Sequence, residues 1–321
     1  MKKRYVTTLL LLILTLLTGC SDDYFDGIDP HQSFVASVNI LEPSITFFDQ
    51  SANEIALWPL EKAYTGAVLV GNDAILLYGH QLAEANLYEL STGKPLQKIE
   101  TGLGVTNAYF DMQTEKIFIT NSKTNELTSY TTKGKLQHTV KLHNYPLSML
   151  VNDGKLYVIN YKDTILSVIS TETMELLDEW TIPKSSHGLV IPNGRDELWI
   201  GGHGEGSSPN KTVDIYAQTT GEKIQDIPMP LMPVGFSKRD GEIAVVSHGE
   251  NVLYVVNADG TIEWQLEIGA NPFAVAHFKD SLVVAGYDDH ALYFINNRRI
   301  ENKVQTGKGP FHLLVREGFG W

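Results

Sequence analysis

The feature that most narrows the fold of this chain is a recurrence with a period near 40 residues. One strand-like run returns six times: Ile75–His80 (ILLYGH), Ile117–Ser122 (IFITNS), Leu156–Tyr161 (LYVINY), Leu198–His203 (LWIGGH), Ile243–His248 (IAVVSH) and Leu282–Tyr287 (LVVAGY). β-Branched and aromatic residues fill each run, and a small or turn-prone residue closes it, as strands require. A second run follows in every unit: Leu87–Leu90, Leu127–Tyr130, Leu166–Ile169, Val213–Tyr216, Leu253–Val256 and Leu292–Ile295. Turn signals such as Thr92-Gly93, Lys133-Gly134, Thr220-Gly221 and Asp259-Gly260 come next. A closing run then ends the unit, as in Leu136–Leu142, Leu176–Ile182 and Ile262–Ile268.

Equivalent openings at Thr65, Thr106, Pro146, His187, Pro233, Pro272 and Pro310 are spaced by 41, 40, 41, 46, 39 and 38 residues. Four short strands in a unit of this length predict the blade of a β-propeller, and no long amphipathic helical pattern supports an alternating helix–strand fold. Six full units begin near residues 64, 105, 145, 186, 232 and 271. Phe34–Asn39, Ser44–Asp49 and Glu54–Leu60 supply three strands before them, and Gly309–Val315 supplies one after. The expectation is an all-β, seven-bladed propeller over residues 33–321, its N-terminal blade completed by the C-terminal strand so that no sheet edge stays open.

The first twenty residues set an address. Lys2, Lys3 and Arg4 precede an apolar run, Val6–Leu17, too short to span a bilayer comfortably and laid out as a signal peptide. It ends Leu17-Thr18-Gly19-Cys20, which resembles the lipobox of bacterial lipoproteins. The resemblance implies cleavage after residue 19 and acylation of Cys20, with palmitate among the acyl chains. Cys20 is the only cysteine, so disulfide frameworks and cysteine-based metal cages are excluded and the thiol is read as an anchor. Residues 20–32 (CSDDYFDGIDPHQ) are acidic and turn-rich and predict a flexible tether. The expected location is extracytoplasmic and lipid-anchored, on the periplasmic side of an outer membrane if the host has one, since Ser21 is not the aspartate usual for inner-membrane retention. Net charge is −13, and −16 once the leader is removed, with 22 basic against 38 acidic residues. Such a surface repels phosphate backbones and argues against nucleic acid as a partner.

Leu156-Tyr-Val-Ile-Asn160, Leu166-Ser-Val-Ile-Ser-Thr171, Thr181-Ile-Pro183 and Gly269-Ala-Asn-Pro-Phe-Ala-Val275, echoed by Gly307-Lys-Gly-Pro-Phe311, resemble the YVTN family of propeller repeats. The resemblance covers residues 33–317 and implies a WD40-like ring, similar also to the quinoprotein dehydrogenase and lactonase superfamilies. It implies no site residue; function on such folds is set by the loops grafted on them.

The residue closing the first-mentioned run is His80, Ser122, Tyr161, His203, His248 or Tyr287 in successive units. Recurrence at one structural position predicts a ring of side chains on one face. His187 belongs to that face, and His203-Gly204-Glu205 and His248-Gly249-Glu250 add two carboxylates, Glu205 and Glu250. Imidazole and carboxylate together suit a divalent metal, for which His187, His203 and His248 are the candidate ligands, although polar strand ends beside glycine turns would give the same pattern. The segment Gly201–Lys211 lengthens one unit and is either a functional loop or a simple insertion. Ser185-Ser186-His187 does not by itself arrange a nucleophile and base, and Asp22-Asp23 and Asp288-Asp289 read as solvated acids. Trp58, Trp180, Trp199 and Trp264 read as core, and the opposite face as turns without a repeated titratable residue.

The functional expectation is a monomeric, membrane-anchored binding or scaffold module of the cell envelope, taking an envelope protein or a small molecule. The alternatives are a metal-dependent lactonase-like hydrolase and a redox enzyme of the quinoprotein kind.

Overall fold

The structure, a computed structural model, describes residues 24–318; the leader and Cys20 lie outside the described residues. Among these, every regular element is a strand, and no helix is long and apolar enough to cross a membrane. Seven four-stranded antiparallel sheets follow one another in chain order. Blade 1 takes Phe34–Asn39, Ser44–Phe48 and Glu54–Pro59 from the N-terminal region and Pro310–Arg316 from the other end of the chain. Blade 2 runs from Gly66–Val70 to Pro95–Glu100, blade 3 from Val105–Asp111 to Leu136–Lys141, and blade 4 from Pro146–Asn152 to Leu176–Thr181. Blade 5 runs from Ser186–Val190 to Lys223–Pro228, blade 6 from Pro233–Arg239 to Ile262–Glu267, and blade 7 from Pro272–Phe278 to Arg299–Gln305. The innermost strand of each blade, Pro310–Arg316 in blade 1 and the first strand elsewhere, touches the innermost strands of both neighbours, so these strands line the axis, and Glu54–Pro59 in blade 1 and the fourth strands elsewhere form the rim.

Burial follows from that radial order. Second and third strands are covered on both faces by adjacent blades and read as unbroken apolar runs, as in Leu156–Ile159 and Leu253–Val256. Rim strands are exposed except at one buried anchoring residue near their end, such as Ile99, Trp180 or Ile227. Trp58 and Trp199 are fully buried between blades and Trp180 nearly so, while Trp264 is half-buried against its neighbours. Each buried aromatic of this size is worth about 3–5 kcal/mol against truncation to alanine.

The ring closes as the sequence led us to expect. Phe34 pairs with Arg316 and Val38 with His312 in antiparallel register. The Arg316 guanidinium donates to the carbonyls of Asp29 (2.6 Å), Gln32 (3.1 Å) and Asn72 (3.2 Å) and lies 4.6 Å from the Phe34 ring centroid. One buried cation thus ties both chain ends to blade 2.

The tether expectation needs correction. Residues 24–32 are a strap bound to the body. Ile28 is buried, and its amide donates to Leu90 O at 2.8 Å. Phe25 stacks on Trp58 at 4.6 Å, and Trp58 Nε1 donates to Asp26 O at 2.9 Å. The approach is so close that a Cβ on Gly27 would meet Ser91 O at 2.2 Å. Composition suggested solvation because seven of these nine residues are polar, glycine or proline; two apolar side chains and the free carbonyls of a blade 2 turn were enough to dock them.

Candidate functional site

One face of the disc is built from the loops between second and third strands and the links between blades. The inner strands approach it with a repeated irregularity. In blades 1, 3, 4, 5, 6 and 7 the pairing of the first two strands slips at the opening residues, for example between Ser186 and Leu189, Pro272 and Ala274, and opposite Pro310 and His312. A bulge adds a residue to one strand, bends it and re-aims side chains. Three of the slipped residues are His187, Phe273 and Phe311.

These meet the loop residues in a crown of rings. Going round the axis, His80 lies 6.4 Å from Tyr145, Tyr145 is 6.1 Å from Tyr161, and Tyr161 is 6.1 Å from His203 (centroid to centroid). His203 contacts His187 at 5.4 Å and His248 at 5.6 Å. His248 packs on Phe273 at 4.3 Å, and Phe273 touches Tyr287 at 5.6 Å and Phe311 at 5.1 Å. Blade 3 contributes Ser122, whose Oγ is 3.1 Å from His80 Nε2. Every blade therefore supplies at least one member, and all nine rings are half-buried.

The sequence-derived ring residues His80, Tyr161, His187, His203, His248 and Tyr287 are thus brought together. Glu205 and Glu250 are not part of the crown. Glu205 pairs with Lys184 at 2.8 Å on an exposed hairpin, and Glu250 accepts from Tyr254 at 3.4 Å. Gly204, at φ 84°, opens that hairpin. His80 is consumed locally: Gln81 Nε2 lies 3.3 Å from its Nδ1, while its Nε2 faces Ser122, which in turn donates to Gly104 O. Tyr145, Phe273 and Phe311 were missed because they sit in a link and on inner strands, where spacing alone does not reveal a bulge. The Pro-Phe pair shared by Gly269–Phe273 and Gly307–Phe311 was the available signal for the two phenylalanines.

The imidazoles are held neutral. Burial, then the neighbouring His203, pushes His187 down to about 4. Burial also lowers His203 and His248, the former further through His248. Nδ1 of His203 and of His248 is buried without a partner, whereas His187 Nδ1 lies 3.3 Å from Val234 O. That last contact depends on Gly188, at φ 81°, where a Cβ would meet Val234 O at 2.2 Å. Although the three imidazoles are neighbours, no group of three His, Cys, Asp or Glu among the described residues is arranged to hold a metal ion. His187 and His203 are tilted at 56° to each other, and His203 and His248 meet edge to face at 82°.

The long segment of blade 5 folds into a miniature hairpin, Gly204–Glu205 with Ser208–Pro209, over a side cavity of about 310 Å³ bordered by Lys184, Ser186 and Asn210. A cavity of about 530 Å³ opens on the opposite face among Asn152, Tyr157, Arg195, Gln218 and Lys238. Its polar groups are already paired: Gln218 bonds Asn152, Tyr157 and the Arg195 carbonyl. That face also carries an acid in the first turn of six blades (Asp73, Asp111, Asp153, Asp196, Asp240 and Asp280), contrary to the reading that it lacks a repeated titratable residue.

No protein-family model matches the sequence, and no curated protein matches it. Solved structures do. The chain is similar to a protein of unknown function from Desulfotomaculum acetoxidans, with TM-score 0.74 at 11% identity over 88% of this chain and 98% of that one. It is similar to virginiamycin B lyase from Staphylococcus aureus, with TM-score 0.62 at 15% identity over 80% and 92%. It is also similar to dihydro-heme d1 dehydrogenase, with TM-score 0.67 at 13% identity over 90% of this chain and 66% of that one. The chain is a seven-bladed β-propeller. At these identities the likeness is one of fold, and the crown has to be read on its own chemistry.

Proposed function

We propose that the protein is a lipid-anchored, extracytoplasmic binding module whose working face is the crown. The observation that carries this reading is convergence: seven blades each place a ring or hydroxyl on one face around the axis. Packing needs do not require this, since the cores buried between adjacent blades are complete without these residues, and pockets that bind small molecules combine such apolar walls with a few polar groups. The anchor reading rests on the lipobox ending at Cys20.

Two experiments test it. A Cys20→Ala chain should appear in the soluble extracytoplasmic fraction, and one that stays membrane-bound would sink the anchor. Small molecules co-purifying with the native chain should be lost from a Phe273→Ala/His248→Ala double variant that still melts cooperatively. The proximity of His187, His203 and His248 also keeps a hydrolase reading in play. Stoichiometric metal together with lactone turnover would favour it over a binding role.

A further inference from the structure

The hydrogen-bonding state of the crown histidines restricts what the face recognises. A neutral imidazole carries one proton, and the other nitrogen is an acceptor. His187 Nδ1 faces the Val234 carbonyl, so it holds the proton and leaves Nε2 as a bare acceptor. His203 and His248 are the reverse. Their Nδ1 atoms are buried with no partner, and a buried lone pair is tolerated better than a buried N–H. Their protons therefore sit on Nε2. The three rings, on two adjacent blades, form a row of one acceptor and two donors, the His248 donor being shared with the Asn271 side chain.

Flanking that row are rings without formal charge. Phe273, Phe311 and Tyr287 form one wing and Tyr161 and Tyr145 the other, giving stacking surfaces at 5.1–6.3 Å spacing. Of the nearby charges, Lys162 lies over the Tyr145 ring, Lys184 is paired with Glu205, and Asp288 acts on His248 from the exposed edge of the crown.

Resting on the reading of the crown as a binding face, we infer that its ligand is an uncharged planar heteroaromatic with a lactam edge. The ligand's N–H faces His187 and its carbonyl faces His203 or His248, while its ring system stacks on the Phe273 wing. Aromatic walls supply area, and the donor–acceptor row sets orientation.

Riboflavin is a suitable probe, being uncharged, planar and imide-edged, with fluorescence that stacking quenches. The native chain should quench it saturably. His203→Leu should weaken binding at least 10-fold, His203→Gln should restore it to within a few-fold because the amide keeps an N–H donor, and Phe273→Ala should abolish it. A flavin methylated at the imide nitrogen should bind more weakly than riboflavin. Cooperative melting of each variant separates lost binding from lost fold. Thioflavin T, a planar cation, and a pyrene sulfonate, a planar anion, form the comparison arms. If a charged dye binds in a crown-dependent way and riboflavin does not, the ligand class is wrong and the binding face stands. If no probe responds to the crown substitutions, the binding reading itself falls.

Discussion

Tyr145 shows how much local cost the crown tolerates. Its φ is 64°, in the left-handed region that a side chain makes unfavourable by roughly 1–2 kcal/mol. It also precedes Pro146, which presses its neighbour toward extended geometry. Ser185, Met232 and Asn271 occupy the matching link positions at φ 60°, 60° and 61°, whereas Gly104 and Gly309 solve the same problem without a side chain. Keeping a tyrosine where glycine would be easier marks its ring as useful, and strain retained in this way clusters at working sites. The histidines give this scale its pH response. Burial pushes His187, His277 and His312 each down to about 4. Their folded pKa values lie below the unfolded 6.5, so the unfolded chain takes up protons first, and stability falls as pH drops from about 7 toward 4. The three rings are only half-buried, so solvent screens part of the effect and leaves on the order of 1 kcal/mol per ring. Urea midpoints should decline between pH 7 and pH 4.5, and His312→Leu should flatten the decline. An unchanged midpoint would show that these rings are not held neutral by the fold.

At the scale of strands and loops, the repeated bulges do two jobs. Near the rim, all seven third-to-fourth strand pairings slip once, which adds twist to each blade. Near the axis, six inner strands slip and deliver His187, Phe273 and Phe311 to the crown. This explains what the sequence did and did not reveal. Strand positions were legible because apolar runs and turn residues repeat every 40 residues or so, and the predicted Phe34–Asn39 coincides with the observed strand. The crown was half legible: loop histidines and tyrosines recur at one repeat position. The inner-strand contributors were not, because a slip of one residue changes a side chain's direction without changing its identity. Nor could composition show that Glu205 pairs with Lys184 and Glu250 with Tyr254 outside the crown. The shared blade carries its own prediction. A chain ending at Thr306 lacks the strand Pro310–Arg316 and the three carbonyl contacts of Arg316. It should lose its cooperative melting transition, a deficit of more than about 5 kcal/mol for a domain of ordinary stability. A peptide spanning residues 307–318 should restore the transition in trans, and cooperative melting of the truncated chain alone would show that the ring does not depend on this closure.

On the scale of the whole molecule, the strap has a geometric consequence. It docks against the far side of the disc from the crown: Phe25 N bonds Gly93 O in the turn between the last two strands of blade 2, and Arg316 reaches from Asp29 to Asn72 in the turn between its first two. Tyr24 is only four positions beyond Cys20, a leash of at most ~14 Å when fully extended. If Cys20 carries the lipid, the disc cannot turn over; it sits with its acid-bearing turns toward the headgroups and its aromatic bowl pointing outward into the compartment. Access to the bowl is then from solution and never from the bilayer, so a ligand must arrive as a dissolved species or be handed over by a soluble carrier. Cys20 is the sole cysteine and would be acylated, so single cysteines can report the orientation. A fluorophore at Asp280→Cys should be quenched by spin-labelled headgroups and one at Glu250→Cys should not. Equal quenching at both positions would mean that the molecule lies on its side or that the anchor is elsewhere.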